Sequence, residues 1–324
     1  MPPTVIFGDI RFPYDNVRET LKEVGITRLD TAARYQNGES ERRLGQAGFP
    51  KDFTVDTKIL YTPPGDGTLS AEAIEKSLTN SLQSLGIEKV NVLYCHAPDF
   101  TTPVAEQAKA FNVQYQKGRF SHLGVSNFMP EMVQEWLDIA NKEGHVKPTV
   151  YQGQYNLLCR SYETTLFPLL RKNGMSFAAY SPLAGGFLNG NFTPEGGAAP
   201  GSTRFGSTGG NPNAGPYLGW YDKPSMHEAI RSLRALAEQE GVGMDELSLR
   251  WLVHHSALQD DDVIILGASK VEHISGAMGK IKKGPLSDGI ADKLTQLWEV
   301  CKEDGMGITV FDQAELRKMA QPKS

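Results

Sequence analysis

Eight short runs rich in β-branched and aromatic residues alternate along the chain with eight segments of helical periodicity. The runs are TVIFGD (4 to 9), RLDTA (28 to 32), FTVDTKI (53 to 59), VNVLYCH (90 to 96), SHLGVSN (121 to 127), TVYQGQY (149 to 155), SFAAYSP (176 to 182) and DVIILGA (262 to 268). The clearest helical segment starts at Ser70, where Ile74, Leu78, Leu82 and Leu85 fall on one face. Others lie near 15 to 24, 39 to 47, 104 to 117, 130 to 143, 162 to 173, 225 to 240 and 271 to 281. The strands are nearly continuous apolar runs, as a parallel sheet buried on both faces requires. The alternation predicts a (β/α)8 TIM barrel forming a single domain over residues 1–324. An open doubly wound sheet fits less well, because its glycine fingerprint is missing: GVGMDE from Gly241 lacks the third glycine and follows a helix.

Two further helical segments, 245 to 256 and 289 to 303, fall outside the repeat. Gly190 to Gly219 holds nine glycines and four prolines. That is too long for an ordinary connection, so residues of about 190–224 are read as a mobile substrate loop. A C-terminal tail of about 304–324 follows the last helix. The net charge of -5 is spread without basic blocks, which argues against nucleic-acid or anionic-membrane partners and for a small molecule. Cys95, Cys159 and Cys301 lie far apart with no CxxC pair, which suits a reducing compartment. No leader pattern and no run of roughly 18 apolar residues occurs, so a cytoplasmic setting is expected.

The carboxyl ends of barrel strands face the active site. Asp30 and Tyr35 lie at and after the second strand, Lys58 ends the third, and His96 ends the fourth. Singly, each has a plain structural reading: a turn cap, a packed ring, a solvated strand end, a core histidine. Together, at three successive strand ends, they make a proton-transfer set. A phenol with an ordinary pKa of about 10 is a poor acid near neutrality. A lysine cation beside it favours the phenolate, and an aspartate keeps that lysine charged. A histidine can polarise a carbonyl oxygen as charge develops there. Carbonyl reduction needs this set, with the hydride supplied by a nicotinamide cofactor. Other histidines suggest no metal site: His254 and His255 lack an HExxH context, and so does His227. Cys95 alternates away from His96 and is read as core.

LDTAARYQNGESERRLG, VDTKI, LYCHAPD and GVSNF together resemble the aldo-keto reductase superfamily in order and spacing, from about residue 4 to residue 303. YQGQYN, ETTLFPLLRKNG, YSPLAGGFLNG, LRWLVHHSAL and VIILGASKVEHI resemble its aflatoxin-aldehyde reductase branch. The resemblance implies an NADPH-dependent carbonyl reductase, commonly a homodimer. It assigns Tyr35 as general acid, Lys58 as the neighbour that lowers its pKa, Asp30 as the partner of Lys58, and His96 as the residue orienting the carbonyl. Ser126, Asn127 and Gln152 would bind the nicotinamide carboxamide, and Tyr180 would stack on its ring. Helix capping for Ser126 and Asn127, and core packing for Tyr180, are the alternatives. Ser181, Leu183, Gly185 and Asn189 would follow the pyrophosphate, where glycine permits close backbone approach. Ser269 and Glu272 read as a capping box at a helix start that also suits a ribose 2'-phosphate, with Lys270 adding a cation that favours NADPH over NADH.

Three departures from the branch stand out. His273 and Ala277 replace a glutamine and an asparagine that hold adenine. Asp9 replaces a small neutral residue, placing a carboxylate near cofactor or substrate. The YLGWYD segment lacks the arginines of relatives that reduce short acidic aldehydes, leaving Arg204 in the loop. A neutral or aromatic carbonyl substrate is therefore expected, with Phe205, Tyr217, Trp220 and Tyr221 as candidate walls. Two alternatives are a cofactor-binding regulatory subunit and a pathway enzyme whose step is imine reduction or the reverse oxidation.

Overall fold

The computed structural model describes residues 2–8, 16–193 and 214–320. Its sheet is a closed barrel of eight parallel strands in sequence order: β1 Thr4–Phe7, β2 Arg28–Asp30, β3 Thr54–Lys58, β4 Val90–Cys95, β5 Phe120–Ser126, β6 Pro148–Gln154, β7 Ser176–Tyr180 and β8 Val263–Leu266. Each predicted strand is found: β5 and β6 start one residue earlier at the expected length, and the others are one to three residues shorter. Pairing of β1 with β8 closes the ring. Around it run α1 Val17–Val24, α2 Glu39–Gln46, α3 Ala71–Leu85, α4 Val104–Gln116 and α5 Pro130–Glu143. Then come α6 Tyr162–Thr165, α7 Phe167–Lys172, α8 Ala214–Tyr221, α9 Pro224–Glu240, α10 Met244–His254, α11 Val271–Ile281, α12 Asp288–Met306 and α13 Gln313–Ala320.

Local chemistry sets these boundaries. The Ser70 side chain accepts from the Ala73 amide at 3.3 Å and starts α3, and Gly86 ends it in the left-handed region. Ile74 and Leu78 on its inner face are fully buried, worth about 2 kcal/mol each in apolar area removed from water. The helix expected over 162 to 173 is two pieces separated at Leu166. Pro168 lacks an amide proton, and its ring would clash with the carbonyl four residues earlier, so one continuous helix cannot form.

Side chains divide into two shells. Ile6, Val92, Tyr94, Val150, Ala178, Val263 and Ile265 pack inside the barrel, and the larger cluster lies between sheet and helices. Tyr94 reaches across to Gly124, where any Cβ would sit 2.2 Å from its ring, so glycine makes room for the plug.

The segments outside the repeat pack on the helical layer and on the turn after β7. The two extra helices appear as α10 and α12. Of the expected substrate loop, residues 194–213 lie outside the described residues, and its far end is not loop but α8. The tail also has structure up to residue 320: Phe311 meets Trp220 edge-on at 6.4 Å, and Arg317 lies 3.4 Å from Asp66.

Candidate active site

Alternation along β2, β3 and β4 turns Asp30, Lys58 and His96 into the barrel mouth. Cys95 faces outward into the surrounding core, fully buried. Lys58 is buried, and its Nζ donates to Asp30 Oδ2 at 2.6 Å and to the Thr31 carbonyl at 2.8 Å. Tyr35 comes from a 3-10 turn, Tyr35–Gly38, directly after β2, in which Gln36 and Asn37 adopt positive φ. The turn sets the Tyr35 ring 4.9 Å from Lys58 Nζ and edge-on to His96, with ring centres 5.7 Å apart. The four residues named from sequence therefore converge.

Electrostatics assign their charges. Burial alone would strip the Lys58 proton, but the Asp30 carboxylate and then Tyr35, which also hydrogen-bonds it, hold its pKa above the ordinary lysine value. Lys58 is a cation. Burial first, then the positive charges of Lys58 and Arg34, hold His96 well below the ordinary histidine range. Its ring is neutral, and its buried Nδ1 has no hydrogen-bond partner among the described residues. A neutral imidazole can donate one N–H to a carbonyl oxygen without adding charge.

Three contributors were not legible in sequence. Glu41, expected only to begin a helix, is buried and accepts from the Thr57 hydroxyl, fastening α2 to the strand that carries Lys58. Arg34 lies over the Tyr61 ring at 5.4 Å, and Tyr61 lies 6.1 Å from His96. Arg34 and Tyr61 follow strand ends, the one signal that could have found them.

The residues expected to hold a nicotinamide lie beside this set. Asn127, at φ 61, donates through Nδ2 to the His96 carbonyl and to Ser126 Oγ, each at 3.1 Å, and the Tyr180 hydroxyl donates to Asn127 Oδ1 at 2.9 Å. The capping alternative is not realised, because the residue before α5 is Met129 and no side chain caps that helix. Gln152 is buried, and its Nε2 donates to Asp30 Oδ1 at 2.9 Å, joining this group to the Asp30–Lys58 pair. An aromatic face with amide and hydroxyl groups around it is a donor set that fits a carboxamide-bearing ring.

Next along the mouth, Ser181 and a 3-10 turn Ala184–Asn189 carry the expected pyrophosphate residues Ser181, Leu183, Gly185 and Asn189. The Ser181 hydroxyl pairs with that of Tyr217 from α8. Gly185 has φ +67, and a Cβ there would sit 2.5 Å from Tyr217 Cε1. Gly185→Ala is expected to cost about 1–3 kcal/mol through backbone strain and overlap. Urea denaturation checks this, and an unchanged midpoint would mean the Tyr217 ring moves aside freely.

Several expected positions are corrected. Tyr221 is fully buried, its hydroxyl accepting from Gln154 Nε2 at 2.6 Å and Asn156 Nδ2 at 3.0 Å. It ties α8 to the end of β6, and the nearly buried Tyr217 ties it to Ser181. Trp220 stays partly exposed. The Ser269–Glu272 capping box does not form: Lys270 is the residue before α11, no side chain caps it, and Ser269 Oγ lies 3.2 Å from His273 Nδ1. Ser269, Lys270 and His273 are all exposed at that helix start. Asp9, Arg204 and Phe205 lie outside the described residues. His227 and His255 serve as local tethers, His227 between Thr193 and Asp222 and His255 accepting from the Leu286 amide at 2.8 Å.

Comparison with known proteins agrees with this geometry. The family model described as Aldo/keto reductase family matches residues 11–299. An aldo-keto reductase of Pseudocercospora fijiensis is 34% identical over 291 residues, covering 88% of this chain and 97% of that protein. The oxidoreductase sirO of Leptosphaeria maculans is 36% identical over 289 residues, 88% of this chain and 85% of its own. Human aflatoxin B1 aldehyde reductase member 2 is 36% identical over 287 residues, 86% of this chain and 79% of its own. With a family model over most of its length, a closed eight-stranded barrel and this group of side chains at the mouth, the chain belongs to the aldo/keto reductase family.

Proposed function

We propose that the protein is an NADPH-dependent reductase that converts an aldehyde or ketone to an alcohol, with Tyr35 as general acid. The observation that carries this reading is the buried Lys58 cation, held by Asp30 and hydrogen-bonded to Tyr35, beside the neutral His96. NADPH, when bound, supplies the hydride. Tyr35 delivers the proton to the carbonyl oxygen, Lys58 stabilises the phenolate left behind, and His96 orients that oxygen through an N–H. Ser126, Asn127 and Gln152 would hold the carboxamide and Tyr180 the ring. Ser181, Leu183, Gly185 and Asn189 would hold the pyrophosphate, and Ser269, Lys270 and His273 the adenosine end.

The partner is a small neutral or aromatic carbonyl compound. Partly exposed Trp220, and Tyr61 beside His96, support an aromatic contact. A cytoplasmic homodimer is the proposed setting; among the described residues no helix is long and apolar enough to cross a membrane.

The test is NADPH oxidation with a panel of neutral, aromatic and carboxylate-bearing aldehydes. Turnover of none of them would sink the reading, and a strong preference for a dicarboxylic semialdehyde would overturn the substrate class alone. Lys270→Ala is expected to weaken NADPH binding about ten- to a hundredfold and leave NADH binding unchanged, since a charge-assisted bond to a phosphate contributes roughly 1.5–3 kcal/mol. Fluorescence titration with both cofactors reads this, and equal losses for the two would remove Lys270 from its role.

A further inference from the structure

Beneath the catalytic pair the barrel holds a second one. Asp30 on β2 and Asp56 on β3 are partners in the strand register, so in a parallel pair both side chains point to the same side, into the barrel. Lys58, two residues above Asp56, takes the Asp30 carboxylate. Arg28, two residues below Asp30, takes Asp56, with Nε 2.6 Å from Oδ2. The other Asp56 oxygen accepts from Asn91 Nδ2 at 2.8 Å and from the Val92 amide at 3.1 Å. Asp56 is fully buried, while Arg28 keeps a 22% exposed side chain. Two ion pairs thus cross diagonally with their carboxylates adjacent, and the four charges sum to zero.

We propose that Asp56 is a positioning residue for carbonyl reduction: by neutralising Arg28 below Asp30 it sets the electrostatic potential felt by Lys58 and Tyr35. The inference rests on the assignment of Tyr35 as the acid. The groups facing Asp56 are Arg28 and Asp30 from β2, Asn91 and Tyr94 from β4, and Lys58 from its own strand. With Asp56 neutral, Arg28 loses its nearest counter-charge, the potential above becomes more positive, and the Tyr35 phenolate is favoured. Burial first, and the Asp30 charge as well, push the Asp56 carboxyl up to about 6 against the pull of Arg28. The carboxyl therefore gains its proton as pH falls through about 6, and the potential at Tyr35 rises in the same interval.

The experiment follows ionisation of the Tyr35 phenol by carbon NMR of labelled tyrosine, with the signal assigned by its loss in Tyr35→Phe and no cofactor present. In Asp56→Asn the midpoint moves to lower pH, the proton concentration there rising about three- to tenfold, a range set by one charge acting through a protein interior of moderate dielectric. In the double variant Arg28→Gln/Asp56→Asn the midpoint returns toward wild type, because the net charge is again zero. A structural role alone would leave the double variant at least as perturbed as the single one. In the wild type the Tyr35 signal also shows a step near pH 6 that the double variant lacks, a readout that stands if Asp56→Asn fails to fold. An unmoved midpoint in folded Asp56→Asn, or the absence of the wild-type step, overturns the inference. If Tyr35→Phe keeps its turnover, the assignment of the acid fails while these shifts still read the potential.

Discussion

Tyr35→Phe is expected to lower turnover by about three orders of magnitude while NADPH affinity changes less than about threefold, within the usual contribution of a positioned acid. The ring stays and only the hydroxyl goes, so its edge contact with His96 at 5.7 Å and its place 4.9 Å from Lys58 Nζ are retained. What disappears is the proton donor and the seat of the phenolate, interactions made chiefly in the transition state. Stopped-flow turnover with saturating NADPH, alongside a binding titration, separates the two quantities. Turnover within about tenfold of wild type would assign the proton to another group, and His96 would be the first to test.

Lys58→Met should damage folding and catalysis together. The substitution leaves Asp30 buried with one remaining side-chain donor among the described residues, Gln152 at 2.9 Å. Removing one member of a buried pair costs about 3–5 kcal/mol. The stranded carboxylate keeps its burial without its cation, so the variant is expected to unfold at lower denaturant than wild type. Denaturant melts read that loss. Asp30→Asn/Lys58→Met should regain much of the lost stability without regaining turnover, because the missing cation no longer supports the phenolate. If the double variant recovers both, Lys58 acts on the fold alone.

The barrel was legible because each strand is a short apolar run closed by polar residues, a pattern that survives without tertiary information. The four residues proposed as catalytic were legible for a related reason, since strand ends place side chains predictably. The inward packing of Tyr217 and Tyr221 was not legible because sequence shows aromatic rings but not the direction they face; they turn onto Gly185 and onto Gln154 with Asn156. Ser269 fits a capping spacing, yet the helix starts one residue later than that box requires. Asp56 and Arg28 went unseen for a different reason. A carboxylate within an apolar strand has no periodic signature, and its partner sits on another strand 28 residues away.

The hydrogen bond from Gln152 to Asp30 ties the proposed carboxamide-binding group to the Asp30–Lys58 ion pair. A ligand carboxamide that recruits the Gln152 amide must compete with Asp30 for it, and an Asp30 oxygen released in this way is left to the Lys58 cation alone. Cofactor affinity and proton affinity at Lys58 are then linked quantities, and by thermodynamic reciprocity each must alter the other by the same factor. Proton uptake or release on cofactor binding, measured calorimetrically in buffers of different ionisation heat, is the size of that coupling.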